Sequence, residues 1–299
     1  MSQTKAQLVS QVSDAQNNTT GGSNAGDSFT GTDANDNTLF GYDSGTAITT
    51  GHTNTAVGSL ALDANTTGAS NTAVGYQTLT TNTTGTPNDA FGYSALEKNT
   101  TGSYNSAFGC KALEENTTAS YNTAVGCLAL DDNTTGANNT AVGYNSLTVN
   151  TTGARNTALG REAAKNNTTG EKNTALGESS LWTNTTGSSN TAVGLEALGA
   201  NTTGTQNVAV GAYALDANTT ADNNTAIGHN TLTTNTTGAN NVAVGIVALQ
   251  YNTTGGSNTA VGMDALRANT TASNNTAVGA DALTTNTTGA QNTAVGTYA

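Results

Sequence analysis

The chain has 299 residues, only 9% of them charged, and a formal net charge of −12. Nucleic acid is not an expected partner of so acidic a chain, because affinity for nucleic acid depends on basic side chains at the phosphates. No apolar run approaches the roughly 18 residues of a membrane helix, so no membrane span is predicted.

The amino-terminal stretch lies outside the pattern that governs the rest of the chain. Residues 1–23 are predicted to be an extension followed by an irregular half-coil. Its first fifteen residues lack the apolar core of an ordinary secretory signal peptide. Residues 24–53 are predicted to be degenerate entry coils, with one unit opening at Asn37.

From Asn54 to Ala299 one motif recurs every seventeen residues without insertion or deletion. Asn-Thr-Ala-Val-Gly fills positions one to five, Leu position nine, and Asn-Thr-Thr positions twelve to fourteen. A fixed period this short indicates one stacked unit per repeat, and Gly with β-branched Thr disfavours helix. The array predicts an all-β parallel β-solenoid (a β-roll) of about sixteen coils, roughly 4.8 Å apart.

Each repeat position predicts the environment of its side chain. Val at position four and Leu at position nine are the only large apolar groups of a unit. Both are expected to point inward, from two short strands centred on Thr-Ala-Val and on Ala-Leu. Phe91 and Phe108, at position four, would then enlarge the core. Gly at position five is expected at a positive φ or a close backbone approach. The later Gly, at position fifteen, is expected to need only room, because Ala119, Ala221 and Ala272 replace it.

Identical residues in register predict ladders of Asn and Thr side chains along the stack. N-glycosylation of the Asn-Thr-Thr sequons is the alternative, but glycans about 4.8 Å apart on one column would collide. The small apolar content of a coil favours lateral association. A homotrimer or another bundle is expected, with the Ala columns at positions three and eight facing the neighbouring chains.

Two tyrosine columns are the candidate surface contacts. Tyr76, Tyr93 and Tyr144 share one variable position, and Tyr104 and Tyr121 share another. Exposed aromatic strips suit a glycan or a partner protein, whereas stacked Tyr can also simply stabilise strands.

No catalytic residue, cofactor or metal site is predicted, and an enzyme is not expected. His52 and His229 are isolated, and the acidic residues occupy variable surface positions without ligand spacing. Cys110 and Cys127 share one repeat position. Strand spacing would allow them a disulfide, but two free thiols are the favoured interpretation.

The runs Asn71–Gly75 (Asn-Thr-Ala-Val-Gly) and Asn105–Gly109 (Asn-Ser-Ala-Phe-Gly) resemble the head repeats of trimeric autotransporter adhesins and similar repeats of bacteriophage tail fibres. The resemblance covers residues 37–299. It implies a left-handed parallel β-roll in a homotrimer that works in adhesion or receptor engagement. The repeat is longer than the usual adhesin repeat and no membrane-anchor barrel is expected with it, which favours a virion fibre over a cell-anchored adhesin.

The sequence therefore predicts a non-enzymatic structural fibre, virion-associated or extracellular, whose partners are other copies of itself and, as candidates, cell-surface glycans or receptors. Three alternatives stay open: a filament that polymerises head to tail, a glycan-binding adhesin, and an ice-binding protein using the Thr columns. The filament hypothesis assigns Asn18 to position twelve and Ala15 to position nine, while Tyr298 and Ala299 end the given sequence at positions seven and eight. The two ends would then complete one coil.

Overall fold

The computed structural model describes residues 12–30 and 33–299. The chain forms two compact units, one ending at Asn139 and the other running from Thr140 to Ala299. Each unit is a parallel β-solenoid with one short strand per coil, and the two together contain about sixteen turns. No helix in the described part of the chain is long and apolar enough to cross a membrane.

The described part of the first unit contains the strands β1 (Val12–Ser13), β2 (Thr19–Gly21), β3 (Thr38–Phe40), β4 (Thr55–Val57), β5 (Thr72–Val74), β6 (Asn88–Phe91), β7 (Asn105–Phe108) and β8 (Thr123–Val125). Strands β2 to β8 pair in succession and in parallel. Strand β1 pairs antiparallel with β2, so it lies on the outer edge of the first coil.

The second unit contains β9 (Thr140–Val142), β10 (Thr157–Leu159), β11 (Thr174–Leu176), β12 (Thr191–Val193), β13 (Val208–Val210), β14 (Thr225–Ile227), β15 (Val242–Val244), β16 (Thr259–Val261), β17 (Thr276–Val278) and β18 (Thr293–Val295). These strands also pair in parallel, each residue with the same repeat position of the next coil, as Ala158 does with Ala175. The predicted parallel β-solenoid is thereby confirmed.

The Ala-Leu segment forms turns, so the prediction of a second strand is wrong. Leu at position nine adopts the left-handed conformation, with φ of 56° at Leu62 and 52° at Leu79. This conformation is uncommon for a residue with a bulky side chain. Hydrogen bonds between coils hold it in place, since the Leu62 N–H donates to the Thr78 carbonyl at 3.1 Å.

The core is lined by Ala at position three, the small residue at position eight, and Leu at position nine. Ala73 and Leu79 are fully buried, whereas Val57, at position four, is 40% exposed. Two predictions are therefore wrong: Val does not form half of the core, and the Ala columns do not face neighbouring chains. Side chains alternate between the two faces of a strand, so an inward Ala directs both its Thr and its Val neighbours outward.

Phe91 and Phe108 follow the same rule and correct a third prediction. Their rings do not enlarge the core. They lie exposed on the outer face of β6 and β7 and stack with centroids 4.9 Å apart.

The predicted asparagine ladders are confirmed. The Asn71 side-chain amide donates to Asn54 Oδ1 at 3.2 Å and to the Gly85 carbonyl at 3.0 Å. In the second column, Asn82 Nδ2 donates to Asn65 Oδ1 at 2.8 Å. The sequon asparagines of this column are buried, with 0% exposure at Asn65 and Asn82. Their side-chain amides form hydrogen bonds inside the coil, which supports the structural interpretation of Asn-Thr-Thr over glycosylation.

The glycine predictions also agree with the structure. Gly160, at position five, has a φ of +139°, and a Cβ added there would lie 2.6 Å from the Gly177 carbonyl oxygen of the next coil. Gly153, at position fifteen, does not adopt a left-handed φ, but it lies close to the Asn150 side chain. Position five thus needs both the special conformation and the space, and position fifteen only the space.

The coil that opens at Asn37 replaces part of the usual core. Gly45 occupies position nine, and a Cβ there would lie 2.9 Å from both the Ile48 and the Leu39 side chains. Leu39 and Ile48 are fully buried. They fill the space that Leu at position nine fills in the regular coils.

Candidate functional site

An exposed apolar column is the most regular feature of the solenoid surface. We call it the position-four column: the outward-facing side chain at position four of each strand. In the second unit it includes the exposed residues Leu159, Leu176, Ile227, Val261 and Val278, and Leu159 is 45% exposed. Strands lie about 4.8 Å apart, so successive members lie next to one another.

The hydrophobicity of position four predicts a column inside the solenoid, although the sequence contains a signal for the opposite assignment. Position four accepts Val, Ile, Leu and Phe, whereas position three accepts Ala alone throughout the regular array. A close-packed interior tolerates changes in volume poorly. The position with variable volume therefore belongs outside, and the position with constant volume inside.

The first tyrosine column forms a partial stack. Tyr76 and Tyr93 are exposed, and their rings stack with centroids 5.8 Å apart. Tyr144 is also exposed, in the second unit. The structure thus brings together two of the three residues predicted for this column.

The second tyrosine column forms a closer pair. The rings of Tyr104 and Tyr121 stack at 5.0 Å with an angle of 3° between their planes, and both are more than half exposed. Both residues adopt a left-handed backbone conformation, at φ of 60° and 63°. Each pair offers a flat aromatic surface to solvent, and its role in binding stays a prediction.

The residues predicted for end-to-end assembly have a different register from the expected one. Asn37 Nδ2 donates to Asn18 Oδ1 at 2.9 Å, and Thr19 pairs with Thr38. Asn18 therefore occupies position one, so its assignment to position twelve is wrong, and with it the placement of Ala15 at position nine. At the other end, Tyr298 is strongly exposed and the Leu283 N–H donates to the Ala299 carbonyl. An assembly role for these residues stays a prediction.

The two cysteines are free. Cys110 is exposed and Cys127 half-buried, in neighbouring coils of the first unit. Two effects raise the pKa of the Cys110 thiol: partial burial is the larger, and a hydrogen bond with Cys127 is the next. A raised pKa disfavours the thiolate, so Cys110 is not an activated nucleophile.

An acidic cluster lies at positions ten and eleven of two neighbouring coils. It contains Glu114, Glu115, Asp131 and Asp132. Asp131 is half-buried, and its Oδ1 is buried without a hydrogen-bond partner among the described residues. Burial, and then the negative charges of Glu114 and Asp132, raise the pKa of Asp131 to about 7. No group of three or more His, Cys, Asp or Glu in residues 12–30 and 33–299 is arranged to hold a metal ion.

We expect Asp131→Thr to stabilise the protein at pH 8.5 but not at pH 4.5. Because the pKa of Asp131 is higher in the folded state than its ordinary value of 3.8, this group destabilises the fold progressively as the pH rises from about 4 to about 7. The expected gain at pH 8.5 is about 1–2 kcal/mol, reduced from the full linkage value because the side chain is only half-buried.

Urea denaturation followed by circular dichroism at the two pH values measures this effect. Thr is the natural residue at position ten of several coils, so the variant fits the repeat. Asp89→Thr, which restores the usual residue at an exposed position two, is the control. An equal pH dependence of wild type and Asp131→Thr would contradict the prediction.

Comparison with known proteins adds no family assignment. Neither a protein-family model nor a curated protein sequence matches this chain.

Proposed function

We propose that the chain is a non-enzymatic structural fibre protein that works as a laterally associated bundle of identical chains. We propose a virion or extracellular location, which the resemblance to adhesin head and tail-fibre repeats favours. A homotrimer is the form favoured by the same resemblance. The observation that carries the proposal is the position-four column, an outward-facing apolar side chain that is exposed in ten of the fifteen coils from Asn54 onward and half-buried in the other five. Contiguous exposed apolar patches are rare on monomeric proteins and typical of interaction surfaces.

The spacing of the column favours a second copy of this chain as the partner. Its side chains repeat once per coil, because each strand pairs with the same repeat position of the next. An identical solenoid has the same spacing, so its side chains can interdigitate along the whole face. A partner with another spacing would lose this complementarity after a few coils.

The use of the repeated polar groups also supports a structural role. The two invariant Asn columns donate and accept hydrogen bonds within the solenoid, as the Asn71 and Asn82 side chains do. The Thr residues at position thirteen donate to the next coil, as Thr66 Oγ1 does to the Thr83 carbonyl at 3.0 Å. These side chains stabilise the stack and are not free for chemistry at a pocket. The exposed Tyr pairs are the candidate contacts of such a fibre with a glycan or receptor.

We expect the wild-type protein to be oligomeric and the double variant Leu176→Lys/Ile227→Lys to be monomeric. Two ammonium groups in the apolar column would be desolvated without partners in a packed bundle, at a cost of several kcal/mol. In the separate chain both side chains extend into water, so the fold is retained. Sedimentation velocity measures the mass, and circular dichroism checks the fold.

The matched control is Thr186→Lys/Thr237→Lys. These exposed threonines lie at position fourteen of the same two coils, away from the strand face. This control is expected to keep the mass of the wild type. A wild-type protein that sediments as a stable folded monomer would overturn the proposal.

A further inference from the structure

The second unit contains an open cleft of about 420 Å³ beside its only tryptophan. The cleft is lined by Trp182, Thr183, Glu196, Gly199, Asp216 and their neighbours. Its volume lies in the range of sites for small molecules. It lies on the turn segments of the coils, at positions seven, ten and eleven, and the strand face that carries the position-four column is elsewhere in the repeat.

The cleft exists because one side chain is missing from a column. Position ten carries Trp182 in one coil, Gly199 in the next and Asp216 in the one after. The gap at Gly199 leaves open space beside the indole. The Asp216 carboxylate lies next to the gap, since a Cβ added at Gly199 would lie 2.8 Å from Asp216 Oδ1.

The charge of the cleft is negative and only partly compensated. Glu162 also lines the cleft, and its Oε1 lies 3.0 Å from Lys165 Nζ, so this carboxylate already has a cationic partner. None of the ion pairs between described residues involves Glu196 or Asp216. Burial, and then the charge of Glu196, raise the pKa of Asp216, which indicates that its negative charge is poorly compensated.

A cation–π contact elsewhere in the second unit shows which kind of group the gap lacks. Arg267, at position ten, places its guanidinium carbon 5.6 Å from the ring centroid of Tyr251 in the preceding coil. Gly199 holds the same repeat position in the coil after Trp182. The chain thus supplies its own cation to Tyr251 from the following coil, whereas the coil after Trp182 has Gly199 at this position. Lys165, at position ten of the coil before Trp182, is paired with Glu162.

We propose that the cleft at Gly199 binds a small organic ammonium ion, which contacts the indole of Trp182 and lies between the carboxylates of Glu196 and Asp216. A Trp face is the best aromatic partner for a cation, and desolvation strengthens the attraction. The volume admits an alkylammonium or quaternary ammonium group of the size of choline. A metal ion fits less well, because no group of three or more His, Cys, Asp or Glu in the described part of the chain is arranged to hold one.

The tryptophan fluorescence of the protein measures binding at the cleft, because Trp182 is the only tryptophan of the chain. We expect choline to change the tryptophan fluorescence saturably. The uncharged isostere 3,3-dimethyl-1-butanol should bind at least tenfold more weakly, because it lacks the charge that both carboxylates attract. A second titration with Nα-acetyl-lysine amide distinguishes a quaternary from a primary ammonium ligand.

The variant Gly199→Thr fills the gap with a side chain and retains Trp182 as the fluorescent group. Thr occupies position ten of four other regular coils, at Thr80, Thr148, Thr233 and Thr284, so the repeat accepts it. We expect this variant to weaken choline binding at least tenfold, and Asp216→Gln to weaken it severalfold. Gln250→Thr, at position ten of a distant coil of the same unit, is the matched control and should bind as the wild type does.

Each outcome decides the proposal. Saturable binding of choline that Gly199→Thr abolishes and the isostere does not reproduce supports it. Equal binding of the isostere, binding of a neutral pyranose such as glucose without binding of ammonium ions, or no binding by calorimetry at 100 mM choline overturns it. Oligomeric mass is a separate measurement, so this result does not depend on the proposed lateral association.

Discussion

Gly177→Ala is expected to destabilise the protein by about 3–6 kcal/mol. Gly177 lies at position five with a φ of +130°, and an added Cβ would lie 2.6 Å from the Gly194 carbonyl oxygen. The same residue donates its N–H to the Leu159 carbonyl at 2.9 Å, so moving the backbone would break the ladder. Urea denaturation followed by circular dichroism measures the loss.

The matched control is Gly187→Ala, at position fifteen of the same coil. A Cβ built there also lies close to neighbouring atoms, including the Gly204 carbonyl oxygen. The chain nevertheless carries Ala221 at this position, and Asn218 Nδ2 still donates to the Ala221 carbonyl at 3.1 Å. The coil therefore accommodates the methyl group by a small shift.

We expect Gly187→Ala to change the stability by less than about 1 kcal/mol, because alanine also restricts the unfolded chain. Equal losses for the two variants would show that the backbone conformation at position five is not the source of the requirement for glycine.

Asn201→Ser is expected to destabilise the protein by about 3–5 kcal/mol. Asn201 is fully buried, and its Nδ2 donates to Asn184 Oδ1 at 2.9 Å and to the Gly204 carbonyl at 3.1 Å. Its Oδ1 accepts from Asn218 Nδ2 at 2.9 Å. The shorter serine cannot reach both neighbouring coils, so buried donors and acceptors are left without partners, at about 1–3 kcal/mol each.

Asn223→Ser is the control for the same chemical change. Asn223 is exposed at position seventeen with a φ of 60°. Ser189 and Ser257 occupy this position in other coils of the unit, with φ of 60° and 58°. We expect a change within about 0.5 kcal/mol. Thermal and urea unfolding of both variants give the comparison, and a small loss for Asn201→Ser would mean that water replaces the missing bonds inside the coil.

The repeat period was sufficient to predict the class of fold and the ladders. Seventeen residues recur without a gap from Asn54 onward, so equivalent residues can pair coil upon coil, as Thr157 does with Thr174. Invariant Asn and Gly positions indicated stacking and tight turns for the same reason, since one coil imposes its geometry on the next.

The orientation of the strand was not predicted correctly, and the candidate surface changed with it. Hydrophobicity alone placed Val inside and Ala outside, because a larger apolar side chain has more to gain from burial. The coil interior instead accepts Ala56 and leaves Val57 exposed. Leu62 fills the interior instead. It does so from a turn in which its backbone has a left-handed conformation, which is uncommon for a bulky residue.

The cleft beside Trp182 could not be found from the sequence. Position ten carries many different residue types along the array, and nothing in the sequence distinguishes Gly199 from the others. Only the stacking of three coils reveals that it separates an indole from the Asp216 carboxylate.

The sequence by itself determined the parallel solenoid, its period, the asparagine ladders and the need for glycine at position five. These features follow from identical residues meeting identical residues, so the repeat alone specifies them. The tertiary structure decided which face of each strand is buried, that one strand and a series of turns form each coil, and that Asn18 begins the ladder at position one. These depend on how much space a closed coil leaves inside, which hydrophobicity within a single repeat does not specify. A signal for the buried face is present only in the comparison between repeats, where position three is constant Ala and position four varies in volume.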